Sequence, residues 1–212
     1  MFTRTVARRA ALAGATALVA VALAACGGTD HSTAGSGHDM PGMGGTGTPT
    51  AGATASFGTA DVTFAQLMIP HHQQAVEMAG LADTRAADPE LKKLAGQIRA
   101  AQAPEIATMT GWLTAWGRPT PSAGAGHGMP GMAHGMPGMM SAADMAKLTA
   151  ATGADFDRQF LTMMIAHHEG AITMAKDELA EGVNPDAKAL AQQIVAAQQA
   201  EIDTMNKILD RL

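Results

Sequence analysis

The chain is predicted to be all-α, a four-helix bundle made of two duplicated helical hairpins. Three observations predict this. Strand signals are absent. Apolar residues recur at helical spacing over two long stretches. The second stretch also repeats the first: residues 61–113 align without a gap onto 157–209, with 23 of 53 positions identical. The matches include Asp61/Asp157, Phe64/Phe160, Pro89/Pro185 and Gln102/Gln198. Self-similarity of that extent is the mark of a duplicated unit.

Residues 1–25 read as a signal peptide. Arg4, Arg8 and Arg9 form a positive start. Residues 10–25 are an apolar run shorter than the roughly 20 residues a membrane helix needs. The run ends in Leu23-Ala24-Ala25-Cys26-Gly27, which resembles a bacterial lipobox. In such signals, cleavage leaves the cysteine as a lipidated N-terminus. The expectation is therefore an extracytoplasmic lipoprotein, anchored through Cys26 to the outer face of the cell membrane. Cys26 is the only cysteine. An intramolecular disulfide and a thiolate metal site are both excluded.

Residues 26–58 are Gly, Thr, Ser, Ala and Pro with few large apolar groups, and read as a flexible tether. The first hairpin spans 59–116. A second Gly/Pro/Met-rich stretch, 117–140, reads as a mobile linker. The second hairpin occupies 141–212 and opens with a short helix over 141–151.

In the first helix Phe64, Leu67, His71, Ala75 and Met78 share one face. Pro89 starts the second helix at its first position after Asp88, a natural N-cap, and Asn184-Pro185 repeats the device. The second helix carries Leu91, Leu94, Ala95, Ile98, Gln102, Glu105, Met109 and Trp112 on one stripe. Pro70 and Pro104 fall inside the first pair of helices, where the second pair has Ala166 and Ala200. Each proline is expected to kink its helix. Pro70, directly before a histidine pair, is expected to distort the first histidine site relative to the second.

The chemistry sits on the apolar stripes. His71 occupies the centre of its face, with His72 about 100° to the side. Gln102 and Glu105 lie on the facing stripe. His167, His168, Gln198 and Glu201 repeat the set. Buried charges are rare unless paired or metal-bound. Two readings satisfy Glu105 and Glu201: a His–Glu–Gln network that fixes helix register, or a metal held by carboxylate and imidazole together. The duplicated doublets are flanked by Met68, Met78 and Met109, and by Met163, Met164, Met174 and Met205. These favour the metal, although methionine at helical spacing is also ordinary packing material.

A six-residue phrase, His-x-Met-Pro-Gly-Met, occurs three times: at His38, Met40 and Met43; at His127, Met129 and Met132; and at His134, Met136 and Met139. Met-Pro-Gly-Met is a β-turn sequence, with Pro setting φ at the second position and Gly supplying φ > 0 at the third. Its ends approach within about 7 Å, so two thioethers converge beside an upstream imidazole. That soft set favours Cu(I), and Ag(I) by the same logic, over hard cations. The alternative is a linker lengthened by sequence slippage, which explains the adjacent pair better than the distant copy.

The motif Met-x-x-His-His-x-x-Ala-x-x-Met stands at 68–78 and again at 164–174, each followed by Gln-x-x-Glu-x-x-x-Met. In this the chain resembles the CopM-like family of bacterial extracytoplasmic proteins, long catalogued as a domain of unknown function. The resemblance covers about 59–113 and 141–210. It implies a ferritin-like helical bundle and copper binding through Met68, His71, His72 and Met78, and through Met164, His167, His168 and Met174. The first half departs at Pro70 and at Gln73, where the second half has Glu169.

The formal charge is −5. Removing residues 1–25 takes away three arginines and no acid, which leaves −8. With two Trp and no Tyr, the chain offers no basic groove or stacking platform, so nucleic acid is excluded as a partner. The leading expectation is a surface-anchored protein that sequesters or transfers Cu(I), with Cu(II) as a second cargo of the imidazoles. A copper-exporting or copper-accepting protein would be its partner. It would not be an enzyme. The rival, a ferritin-like oxidase, needs more core carboxylates and Glu-x-x-His on single helices. A blue-copper centre needs a cysteine ligand. A third reading is a structural envelope lipoprotein without a metal role.

Overall fold

The computed structural model describes residues 56–121 and 136–212. The signal peptide, Cys26, most of the tether, and His38, Met40, Met43, His127, Met129, Met132 and His134 lie outside the described residues. Five helices follow in order among those described: α1 (Thr59–Arg85), α2 (Pro89–Ala115), α3 (Ala142–Ala150), α4 (Gly153–Glu181) and α5 (Pro185–Leu209). The fold is all-α, and no described helix is long and apolar enough to cross a membrane.

Helix starts follow local chemistry. Asp88 Oδ1 accepts from Glu90 N and Leu91 N, each at 2.9 Å, with Pro89 at the first helical position. Asn184 Oδ1 does the same for Asp186 N and Ala187 N at 3.0 Å. Ser141 Oγ accepts from Asp144 N at 3.1 Å. Such caps each contribute about 0.5–2 kcal/mol.

Each hairpin also holds the other's turn. Asp157, near the start of α4, accepts from Ala87 N and Asp88 N between α1 and α2. Asp61, near the start of α1, accepts from Val183 N and Asn184 N between α4 and α5. The repeated aspartates are thus reciprocal clasps.

α1 packs on α2, α4 packs on α5, and the hairpins meet through α1 against α4. The apolar core falls into two clusters. One joins the later part of α1 (Met78, Ala82) with the start of α2 (Leu91, Ile98), the start of α4 (Phe156, Phe160, Met164) and the end of α5 (Met205, Ile208). The other joins the start of α1 (Phe64, Met68) with the end of α2 (Met109, Leu113), the later part of α4 (Ala171, Met174) and the start of α5 (Leu190, Ile194). This exchange of early and late segments makes α1 antiparallel to both α2 and α4. Each large apolar side chain buried in this way contributes roughly 1.5–3 kcal/mol. Between the two clusters, at mid-height, lies a polar layer.

Pro70 and Pro104 do not interrupt α1 or α2. Pro70 is buried within α1 next to the histidines.

Candidate metal centre

All four doublet histidines are buried, each no more than 1% exposed. The His71 and His167 rings lie 3.7 Å apart between centroids, tilted by 41°. His72 Nε2 donates to Glu105 Oε2 at 2.7 Å, and His168 Nε2 donates to Glu201 Oε2 at 2.7 Å. The two His–Glu pairs are matched, whereas the first histidines of the doublets differ: His71 has a hydrogen-bond partner and His167 has none.

Glu105 and Glu201 sit differently from the sequence-based picture of fully buried carboxylates. Their side chains are 20% and 18% exposed. They meet the layer from its rim and hold imidazoles. Glu169, expected to add an acceptor beside the second doublet, is exposed to solvent.

The hydrogen bonds fix which ring nitrogens are bare. His71 Nε2 donates to the Pro137 carbonyl at 3.1 Å. His71, His72 and His168 each spend Nε2 on an oxygen acceptor, which leaves Nδ1 as the remaining ring nitrogen. All three Nδ1 atoms are buried without a partner, and so are both ring nitrogens of His167. Gln102 Nε2 and Oε1 and Gln198 Oε1 are orphaned in the same way. Unpaired buried polar groups cost about 1–3 kcal/mol each, so this concentration of them calls for an occupant.

The electrostatics keep His71 and His167 neutral. Burial first, then neighbouring His72 and His168, push His71 down to about 3 despite the Pro137 carbonyl. Burial, and then the other three histidines, hold His167 well below the usual histidine value. Neutral imidazole is the metal-binding form. An imidazole that donates one N–H to a carboxylate or carbonyl and points its other nitrogen inward has the usual arrangement of a metal-ligating histidine. Among the described residues, no three His, Cys, Asp or Glu donors converge on one point as the side chains stand.

The helical methionines flank this layer. Met68, Met109 and Met174 belong to one apolar cluster and Met78, Met164 and Met205 to the other. Met68 and Met164 stand one turn before His71 and His167 or their neighbours. They are packed as core side chains.

The third His-x-Met-Pro-Gly-Met phrase departs from the mobile segment expected for it. Residues 136–140 are seated on the histidine layer. Met139 N donates to Met136 O at 3.4 Å and Gly138 takes φ +76°, as the turn sequence requires. Gln74, buried, exchanges two bonds with the Met140 backbone, at 2.9 and 2.7 Å. Gly170 leaves the space that the Pro137 carbonyl fills, since a Cβ there would overlap it. A Cβ on Gly138 would lie 3.0 Å from His167 Cα. Gln74, Pro137 and Gly170 were not singled out from sequence. A glycine inside α4, costing about 1 kcal/mol relative to alanine, was the available signal.

These features define a helical bundle with a buried histidine layer at its middle. The chain belongs to the family described as Domain of unknown function (DUF305), which matches residues 61–209. It is similar to a solved DUF305 protein of Streptomyces coelicolor, 38% identical, covering 72% of this chain and 93% of that one, with a TM-score of 0.64. It is also similar to CopM in its Cu(II)-bound form, 36% identical, covering 71% of this chain and 96% of that one, with a TM-score of 0.61. CopM has likewise been solved with Cu(I) and with silver. An uncharacterized protein, L153, of Acanthamoeba polyphaga mimivirus is 48% identical over 54 residues, 26% of this chain. The chain spans about a third of that curated relative's length, 36%.

Proposed function

We propose that this is an extracytoplasmic copper-handling lipoprotein that sequesters or transfers Cu(I), with Ag(I) and Cu(II) as related cargo. The observation that carries the reading is the set of buried, unpartnered Nδ1 atoms on His71, His72 and His168, each ring backed by an acceptor on Nε2. His167 adds a fourth ring with both nitrogens unassigned. CopM binding copper and silver on a similar fold supports the reading. Cu(I) and Ag(I) accept two or three nitrogen or thioether donors, which suits a layer of imidazoles with Met68 and Met164 adjacent. The work is holding and release, with no bond-making step, so the protein is not an enzyme. The signal sequence and Cys26 support export and lipid anchoring. A copper-exporting or copper-accepting protein would be the partner in transfer.

The test is anaerobic Cu(I) titration of the mature protein against a competing chelator, with thermal unfolding alongside. Wild type, His71→Ala/His72→Ala and His167→Ala/His168→Ala are compared. A ligand that binds only the native state stabilises it by mass action. Copper should therefore raise the wild-type Tm far more than that of either double variant. Equal copper-induced shifts in all three would make the histidines a hydrogen-bonded polar core and end the proposal.

A further inference from the structure

We propose that the turn at 136–139 is an outer soft-cation site, built of the Met136 and Met139 thioethers, that loads the histidine layer beneath it. The inference rests on reading that layer as the copper site, and goes beyond it in naming a fixed second station and the residues that seat it.

Four ties hold the turn in place. His71 Nε2 donates to the Pro137 carbonyl at 3.1 Å. Gln74 Nε2 donates to Met140 O at 2.9 Å, and Met140 N donates to Gln74 Oε1 at 2.7 Å. Gly170 admits the Pro137 carbonyl, and Gly138 lies against the backbone of Ala166 and His167. The seat thus spans α1 and α4, the two helices that carry the neighbouring His71 and His167 rings. Met136 and Met139, at the turn's ends, are half-buried.

Positions 74 and 170 correspond under the duplication, yet one is glutamine and the other glycine. Each does a different job for the same turn: Gln74 grips it and Gly170 makes room. A spacer that only joined two hairpins would need neither. The turn also acts on the layer directly, because the Pro137 carbonyl takes the His71 Nε2 proton and leaves Nδ1 as the donor nitrogen. A turn with a methionine at each end, its backbone tied to an imidazole in this way, offers a graded path for a soft cation: sulfur first, nitrogen second. Gln74 and Gly170 are positioning residues; the thioethers are the ligands.

The experiment uses the full-length chain with Met40, Met43, Met129 and Met132 changed to leucine, so that the other two phrases contribute no thioethers. Ag(I) is the probe, because it does not change oxidation state. Imidazole NMR signals of His71 and His167 report occupation of the layer, and stopped-flow mixing reports its rate. Met136→Leu/Met139→Leu keeps volume and removes sulfur. It should lose one silver equivalent and load the layer at least tenfold more slowly, with the same final His71 and His167 shifts. Gly170→Ala keeps both thioethers but displaces the turn, and should also slow loading. Wild-type rate and stoichiometry in the leucine variant would overturn the outer site while leaving the layer intact. No silver-induced shift at His71 or His167 in the parent chain would overturn the layer reading and this proposal together.

Discussion

In the first hairpin His72 Nε2 lies 2.7 Å from Glu105, and in the second His168 Nε2 lies the same distance from Glu201. Asp61 and Asp157 close the opposite turns in the same way. Two of the places where the hairpins part company bear on the fold. Gln74 corresponds to Gly170, where the linker turn docks. Ala82 corresponds to Glu178, at the far end of the first helix in each pair. The duplication has kept what both copies do for each other and let go where only one copy has a neighbour to meet.

Glu178 offers the largest way to break the symmetry. It is buried, and the carboxylate it faces, with which it shares a hydrogen bond when protonated, is Asp61. Burial first, and then the Asp61 carboxylate, push it up to about 8. Burial also works against ionised Asp61, but backbone N–H donors from Gly58, Asn184 and Val183 help to hold its pKa below the usual value. The folded pKa of Glu178 is above the unfolded one. Its stabilising proton is therefore fully present below about 4.5 and lost as pH rises through about 8. Relative to Glu178→Gln, wild type should lose stability across that window, by on the order of several kcal/mol. Buried His71 and His167 contribute a slope of opposite sign at lower pH, but they are present in both proteins and cancel in the difference. Chemical denaturation at pH 5 and pH 8 checks this: parallel curves for the two proteins would show that Glu178 does not titrate in the fold.

The polar layer is the second place to test the likeness. His72→Ala and His168→Ala each remove a buried ring and its bond to glutamate. Each should cost about 2–4 kcal/mol without metal, within about 0.5 kcal/mol of each other. Urea midpoints measure it, and a clear inequality would restore an influence of Pro70 on the first site. The clasps come next. Asp157→Ala strands the N–H groups of Ala87 and Asp88 and should cost about 2–3 kcal/mol. Asp61→Ala strands Val183 and Asn184 but also removes the carboxylate beside Glu178, so its cost at pH 8 should be visibly smaller.

Much of this was legible in the residues. Caps at Asp88 and Asn184, the 61–113 repeat and the apolar stripes specify the helices because each is a local rule. The doublet histidines were legible because polar residues at core spacing, repeated, demand a reason. The layer's orientation was not. Whether Glu105 binds a metal or an imidazole depends on where the opposite helix stands, and spacing along one helix does not encode that. The seated turn was hidden for a similar reason. Its composition is that of a linker, and only Gly170, a helix-interior glycine 32 residues beyond Gly138, carried a trace of the contact.

That trace gives the smallest effect and the cleanest contrast. Gly96 lies inside α2 with open space around a built Cβ, whereas a Cβ on Gly170 meets the Pro137 carbonyl. Helix propensity alone favours alanine at both by about 0.5–1 kcal/mol. Gly96→Ala should realise that gain. Gly170→Ala should lose it and more, because the turn must lift off and take the Pro137 carbonyl away from His71. Seen by thermal unfolding, the two substitutions should move Tm in opposite directions. Hydrogen exchange should show faster exchange at Met140 N in Gly170→Ala alone. If both variants are stabilised equally, the turn is not held by the fit at Gly170, and Gln74 alone would have to account for its seat.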